Sequence, residues 1–393
     1  MIHRLRIDKR NTKSHLKSVK LTHIILLLDL VKGVSLNTEA LKITKQDIDM
    51  QNISSNNLNR YCRISNRRYL GNKYKLRDFL RTTILKECGE FNVFADLFAG
   101  TGSVASLFED KTLIVNDILY SNYVCHNAWF GTQRYSMSTI ENYIKRYNKI
   151  SVKSENYVSK NFANTFFSEY NCKKIGFIRE DIEKSYENNL LSLREKHILI
   201  ASLLYAMDKT ANTCGHYDAY RKNGILDKEL ILPIPLIQEG SLNNRIYNTN
   251  ANSLARRIVA DVVYLDPPYN SRQYCDLYHL LENISQWEKP QVYGVAKKMD
   301  RSVLKSDYCT LNATKTFEDL VNNIKARYIV LSYNNMAQKG NNRSNARISD
   351  QDIYRILNKK GDVKTFQQEH KAFHTGKSYI TKIVERLFVC RCF

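Results

Sequence analysis

Apolar positions along the chain gather into short runs that close on an acid. Val93-Phe94-Ala95-Asp96-Leu97-Phe98, Thr112-Leu113-Ile114-Val115-Asn116-Asp117 and Asp261-Val262-Val263-Tyr264-Leu265-Asp266 each read as a strand buried on both faces, the pattern of a parallel sheet. Tyr328 to Ser332 reads as a further buried strand, and Val363 to Gln367 and Lys382 to Cys390 as a closing pair of strands. Helical spacing appears over Thr139 to Lys149, Arg194 to Ala211, Tyr278 to Ile284 and Asp350 to Leu357, the last with Ser349 as N-cap. The alternation predicts an α/β fold. Residues 131 to 245 are more than a compact sheet needs between neighbouring strands and read as a mainly helical insertion. Leu21 to Val31 and the stretch from Asn37 predict short helices in an amino-terminal extension over residues 1 to 62, a packing arm or a small DNA-binding element.

The chemistry is expected where the strands end, because ligands of open α/β sheets bind at the carboxyl ends of strands. After Leu265 come Asp266-Pro267-Pro268-Tyr269-Asn270. The prolines stop the strand and leave an acid, a rigid turn and an aromatic ring. An acid beside a carbonyl can accept both hydrogens of an exocyclic amine, and a tyrosine ring can stack on the base that carries it. After Phe98, Ala99-Gly100-Thr101-Gly102-Ser103 reads as a tight turn into a helix from about Val104. Glycine at 100 and 102 lets backbone approach a ligand. The same spacing fits the loose dinucleotide fingerprint, but Asp96 before the loop would repel a pyrophosphate and Asp266 has no part in hydride transfer. A cationic ligand suits the loop better. Asp117 stands where a ribose-binding acid or a helix N-cap would.

The tetrad Asp266-Pro267-Pro268-Tyr269 resembles the catalytic motif of amino-methyltransferases. With Arg68-Tyr69-Leu70-Gly71-Asn72-Lys73 and Asp96-Leu97-Phe98-Ala99-Gly100-Thr101-Gly102 before it, the chain from about Ile64 onward resembles the Dam-like class of N6-adenine DNA methyltransferases. The run through Tyr274 and the later Leu331-Ser332-Tyr333-Asn334-Asn335 are similar to the FokI-type modification methylases within that class.

The resemblance implies a Rossmann-like S-adenosylmethionine-dependent methyltransferase sheet, mostly parallel with an antiparallel last strand. It divides the catalytic domain into residues 63 to 130 and 246 to 393, with 131 to 245 as target-recognition region. It implies that Asp266, Pro267 and Tyr269 hold the target adenine. Tyr69, Gly71 and Lys73 would close over the methionine end of the S-adenosylmethionine donor, Asp96, Phe98, Gly100 and Gly102 would form its loop, and Asp117 would take its ribose. Asn250 stands where the family usually carries an acid toward the donor's adenine, and Glu180-Asp181 offers an alternative for that contact. The expected partners are double-stranded DNA and a cognate restriction endonuclease, with a monomeric, cytoplasmic enzyme that needs no metal. RNA adenine or DNA cytosine N4 are alternative targets, and a non-catalytic DNA-binding protein is a further alternative.

Composition agrees with a polyanionic partner. Sixty Lys and Arg against 39 Asp and Glu leave a formal charge of +21 over 393 residues. The nine cysteines follow no framework, which suits a reducing compartment, and Ile24 to Val31 is too short and too charged for a signal or a span. Within the insertion, Thr213 to Lys222 mixes aromatic, polar and basic residues that could read base edges, and the basic loop Gln338 to Arg347 could touch phosphate. Asp362 with Glu369-His370-Lys371 matches a nuclease metal site only loosely.

Overall fold

The computed structural model describes residues 60–238, 240–334, 346–371 and 382–393. The helices expected before residue 60, and residues 338 to 345 of the basic loop, lie outside them. Nine strands are seen among the described residues: β1 (Tyr61–Cys62), β2 (Val93–Asp96), β3 (Thr112–Asn116), β4 (Ile234–Pro235), β5 (Arg245–Tyr247), β6 (Ala260–Leu265), β7 (Ala326–Asn334), β8 (Gly361–Lys371) and β9 (Lys382–Cys392). Around them run helices α1 (Arg77–Cys88), α2 (Tyr120–Phe130), α3 (Met137–Lys149), α4 (Tyr157–Phe162), α5 (Glu169–Glu187) and α6 (Leu193–Thr210). Then come α7 (Ala251–Ala255), α8 (Tyr274–Leu277), α9 (His279–Gln286), α10 (Ala313–Asn323) and α11 (Asp350–Asn358).

Seven strands form one sheet in the order β5-β3-β2-β6-β7-β9-β8. The pairs from β5 to β7 are parallel, and β9 is antiparallel to both β7 and β8. The mostly parallel sheet with an antiparallel ending is the expected one. Its apolar strands follow from burial on both faces. Phe94, Val262, Tyr264 and Val330 enter a core shared with α1, α2 and α6. Ala95, Val263, Leu265 and Ile329 enter the opposite core with α7, α10 and α11. Neither face is left to water, so a continuous apolar run replaces alternation.

Two local expectations differ from the fold. The β2 strand ends at Asp96, two residues before Phe98. The helix expected from Val104 is a single 3-10 turn over Ala105–Leu107, because the chain must return to pair Thr112 with Val93 at the start of the next parallel strand.

The insertion is helical, as its spacing predicts, and is built into the first core rather than hung outside it. Ser192 and Glu195 form a reciprocal capping box at the start of α6: Ser192 Oγ accepts from Glu195 N (3.2 Å), and Glu195 accepts from Ser192 N (2.7 Å). Almost every side chain of α6 is buried. At its far end Asp208 accepts from Arg67 Nε at 3.3 Å and from the Tyr217 hydroxyl at 2.9 Å. Tyr217 is itself core, with its N–H on Leu277 O at 2.7 Å. The loop expected to read bases is therefore anchored at its middle, while Cys214, Asp218 and Ala219 stay exposed. No helix among the described residues is long and apolar enough to cross a membrane.

Candidate active site

The carboxyl ends of β2, β3 and β6 open onto one cleft. Tyr69, Gly71, Lys73, Asp96, Phe98, Gly100, Asp117, Asn250 and Asp266 all line it. Gly102, Pro267 and Tyr269 are not part of this lining. Gly100 and Gly102 take positive φ, +53° and +78°, a conformation side chains seldom adopt. A Cβ on Gly102 would lie 2.6 Å from Ile64 Cδ1, so the turn is closed against the core. Gly100 lies under the Tyr69 ring, which stacks on Tyr278 with centroids 4.4 Å apart and on Tyr274 at 5.4 Å. Tyr278 Oη accepts from Leu70 N at 2.7 Å, and Tyr274 Oη donates to Leu70 O at 3.2 Å. The Tyr69 block is thus held by residues just after the Asp266-Pro267-Pro268-Tyr269 turn.

Acids dominate the cleft. Asp96 is 1 % exposed, and neither carboxylate oxygen has a hydrogen-bond partner among the described residues. Burial, then the nearby Asp266 and Asp117, pushes its pKa well above the usual carboxylate range. The N–H groups of Phe98 and Ala105 pull the other way without reaching hydrogen-bond geometry. Asp117 is better satisfied: Gly100 N donates to Oδ2 and Leu119 N to Oδ1, both at 2.8 Å. Burial still lifts it to about 6 against those two bonds. It does not cap the first turn of α2. Glu282 on α9 does, accepting from Tyr120 N at 2.9 Å and Ser121 N at 2.7 Å.

At the end of β6, Asp266 Oδ1 lies 3.0 Å from Lys73 Nζ, and the same ammonium lies 3.1 Å from Glu385 Oε1. Burial raises Asp266, Lys73 opposes it, and Glu385 adds to the rise. Burial also works against the Lys73 charge, yet the two carboxylates hold its pKa well above the ordinary value. Tyr269 packs edge-on to Tyr333, and its carbonyl accepts from Arg347 N at 2.8 Å, which fixes the turn after the prolines. Asn250 is the N-cap of α7, with Oδ1 taking Asn252 N at 2.9 Å and Ser253 N at 3.2 Å. An amide performs that capping as an acid would. Glu180 and Asp181 lie away from the cleft. Glu180 accepts from Trp287 Nε1 and Lys289 Nζ, and Asp181 from Arg146 and Tyr147.

Several lining groups carry no motif in the sequence. Glu385, behind Lys73 rather than in the lining, is an acid at a buried position of an apolar strand, which is the one signal that could have singled it out. The far wall is Val303 to Tyr308, tied to the segment after Tyr269 where Gln273 Oε1 accepts from Ser306 N at 2.8 Å. Tyr308 meets Phe98 edge-on at 5.2 Å. Asp362 and Glu369 stand near opposite ends of the extended β8, about 23 Å apart, too far to share an ion. No cluster of potential metal ligands occurs among the described residues.

The model of the D12 class N6 adenine-specific DNA methyltransferases matches residues 69–344. The modification methylase StsI of Streptococcus sanguinis is 35 % identical over 74 % of this chain and 46 % of its own length. The type II methyltransferase M.NlaIII of Neisseria lactamica is 34 % identical over 68 % of this chain and 83 % of its own. M.FokI of Planomicrobium okeanokoites is 29 % identical over 79 % and 50 % respectively. The chain thus spans about half the length of several of the methylases it matches.

Proposed function

Since the chain belongs to the D12 class of N6 adenine-specific DNA methyltransferases, we propose that it methylates the N6 of a flipped adenine at a defined DNA sequence, as the modification component of a restriction–modification system. The observation that carries this reading is the cleft shared by Asp266 and by Asp96, a buried acid with no hydrogen-bond partner among the described residues. S-adenosylmethionine fits it: a buried acid without a partner suits the ammonium of the methionine end, and the tight glycine turn lets the ligand lie against backbone. The donor supplies an electrophilic methyl group on a cationic sulfur. Asp96 and the Tyr69 block would hold its amino-acid end, Asp117 its ribose, and the Asn250 turn its adenine.

The chain's own residues do the rest. The adenine amino nitrogen is a poor nucleophile because its lone pair is spread into the ring. One amino hydrogen donates to Asp266 and the other to the Pro267 carbonyl. Those bonds favour the tetrahedral nitrogen and the positive charge that grows on it. The proton becomes acidic only after methyl transfer, so Asp266 need not be a strong base. Unstacking the base costs a few kcal/mol, offset in part by stacking on Tyr269. Residues 131 to 245 serve as the target-recognition region, with the exposed Cys214, Asp218 and Ala219 of the Thr213 to Lys222 loop toward DNA. The enzyme works as a monomer in the cytoplasm, where its DNA lies, beside a cognate endonuclease.

Labelled methyl transfer from S-adenosylmethionine into unmethylated duplex, followed by digestion to nucleosides, tests this. The label should appear in N6-methyladenine and vanish in Asp266→Ala while DNA binding persists. Label in N4-methylcytosine or in RNA alone would overturn it.

A further inference from the structure

We infer that Glu385, acting through Lys73, is a positioning residue that aims Asp266 and sets the charge the target amino group meets. This rests on the methyltransferase reading above. The three groups come from distant parts of the chain: the turn before α1, the end of β6, and β9. Lys73 is 7 % and Glu385 5 % exposed. Lys73 Nζ bridges Asp266 Oδ1 at 3.0 Å and Glu385 Oε1 at 3.1 Å, and Ser332 Oγ donates to the same Glu385 oxygen at 2.6 Å.

Burying charge is costly, so two carboxylates on one lysine call for a reason beyond packing. A lone Lys73–Asp266 pair would be neutral. The second carboxylate leaves the cluster at one net negative charge, pointed at the cleft where positive charge develops on the nitrogen. Lys73 holds Oδ1, so the amino group would meet the other carboxylate oxygen. Other groups also face Asp266: Tyr264 on its own strand, Asp96 on β2, and Tyr269 and Tyr274 from the loop. None of these forms an ion pair with it among the described residues. Only Lys73 lowers the Asp266 pKa, while Glu385 raises it.

That opposition gives a test that simple loss of packing cannot imitate. Single-turnover methyl transfer at saturating S-adenosylmethionine and duplex is followed from about pH 5 to about pH 9. The proteins are the wild type, Lys73→Met, Glu385→Gln and Glu385→Asp. The rate should fall on the acid side as Asp266 takes a proton. Lys73→Met should move this acid limb to higher pH and Glu385→Gln to lower pH, each with a plateau about tenfold lower. Glu385→Asp should recover part of the plateau. Donor affinity, measured separately by calorimetry, should be unchanged in Glu385→Gln. Limbs that stay at the wild-type position in folded variants overturn the inference, as does a Lys73→Met defect confined to donor affinity. Should Lys73→Met not fold, the direction of the Glu385→Gln shift decides alone. A wild type that methylates no duplex overturns the methyltransferase reading and this inference together; an active wild type with unmoved limbs overturns this inference only.

Discussion

Asp96 shows at the level of one residue how a group proposed to bind a ligand opposes the fold that holds it. Its carboxylate is buried without a hydrogen-bond partner among the described residues, and its pKa is raised by burial and by Asp266 and Asp117. A carboxyl group whose folded pKa exceeds its unfolded one favours the folded state at low pH. That contribution is lost as pH climbs through the unfolded value toward the folded one. At pH 7 the buried acid therefore destabilises the ligand-free protein. Asp96→Asn should raise its thermal midpoint at neutral pH, with the gain fading toward pH 4. The same change should weaken S-adenosylmethionine binding about tenfold or more, because a charged hydrogen bond is lost. Calorimetry and thermal unfolding on one preparation check both signs; an Asn variant that binds donor as tightly as wild type would remove Asp96 from the donor site. Gly102 makes the complementary case. With φ at +78° and Ile64 2.6 Å from an added Cβ, Gly102→Ala should cost about 1–3 kcal/mol by denaturant unfolding and distort the donor turn.

Among the elements, what a reader of the chain could foresee depended on how local the cause was. The strands were legible because burial on both faces writes a continuous apolar run, as in Val262 to Leu265. The capped helix at Asp350 was legible because Ser349 Oγ accepts from Asp352 N within one turn. The segment after Gly102 was not, since the helix its spacing suggests is cut short by the register of β3 on β2. The Lys73–Asp266–Glu385 cluster was half legible: Asp266 carries a motif, whereas Glu385 meets Lys73 only through the pairing of β9 with β7. Glu282 capping α2 is equally invisible, because the cap comes from another helix. Long-range pairing of this kind also anchors α6, where Asp208 joins Arg67 in a buried ion pair. Asp208→Ala leaves the Arg67 guanidinium buried with only Asn122 and Cys125 as its remaining side-chain partners among the described residues. It should cost about 3–5 kcal/mol, seen as a lower denaturant midpoint with an unchanged slope. A change under about 1 kcal/mol would mean that the helix is held by packing alone.

Across the whole molecule two electrostatic regimes are set against each other. The chain carries a formal charge of +21, yet the cleft gathers Asp96, Asp117 and Asp266. On the proposed function, the excess of basic residues would draw in phosphates, while the acids of the cleft would receive a cationic donor and an amino group turning positive. Salt distinguishes the two regimes, because it screens exposed charges far more than buried ones. Affinity for duplex should fall steeply with ionic strength, by about a thousandfold between 50 and 200 mM if about six phosphates are neutralised. Asp266→Ala should show the same slope as wild type, since its charge is not part of the outer field. The single-turnover rate at saturating duplex should change little over that range, because Lys73 and Glu385 are shielded from salt. Fluorescence anisotropy across a salt series, paired with rapid-quench methyl transfer, reads both quantities. A catalytic rate that collapses in parallel with affinity would place the decisive charges at the surface rather than in the cluster.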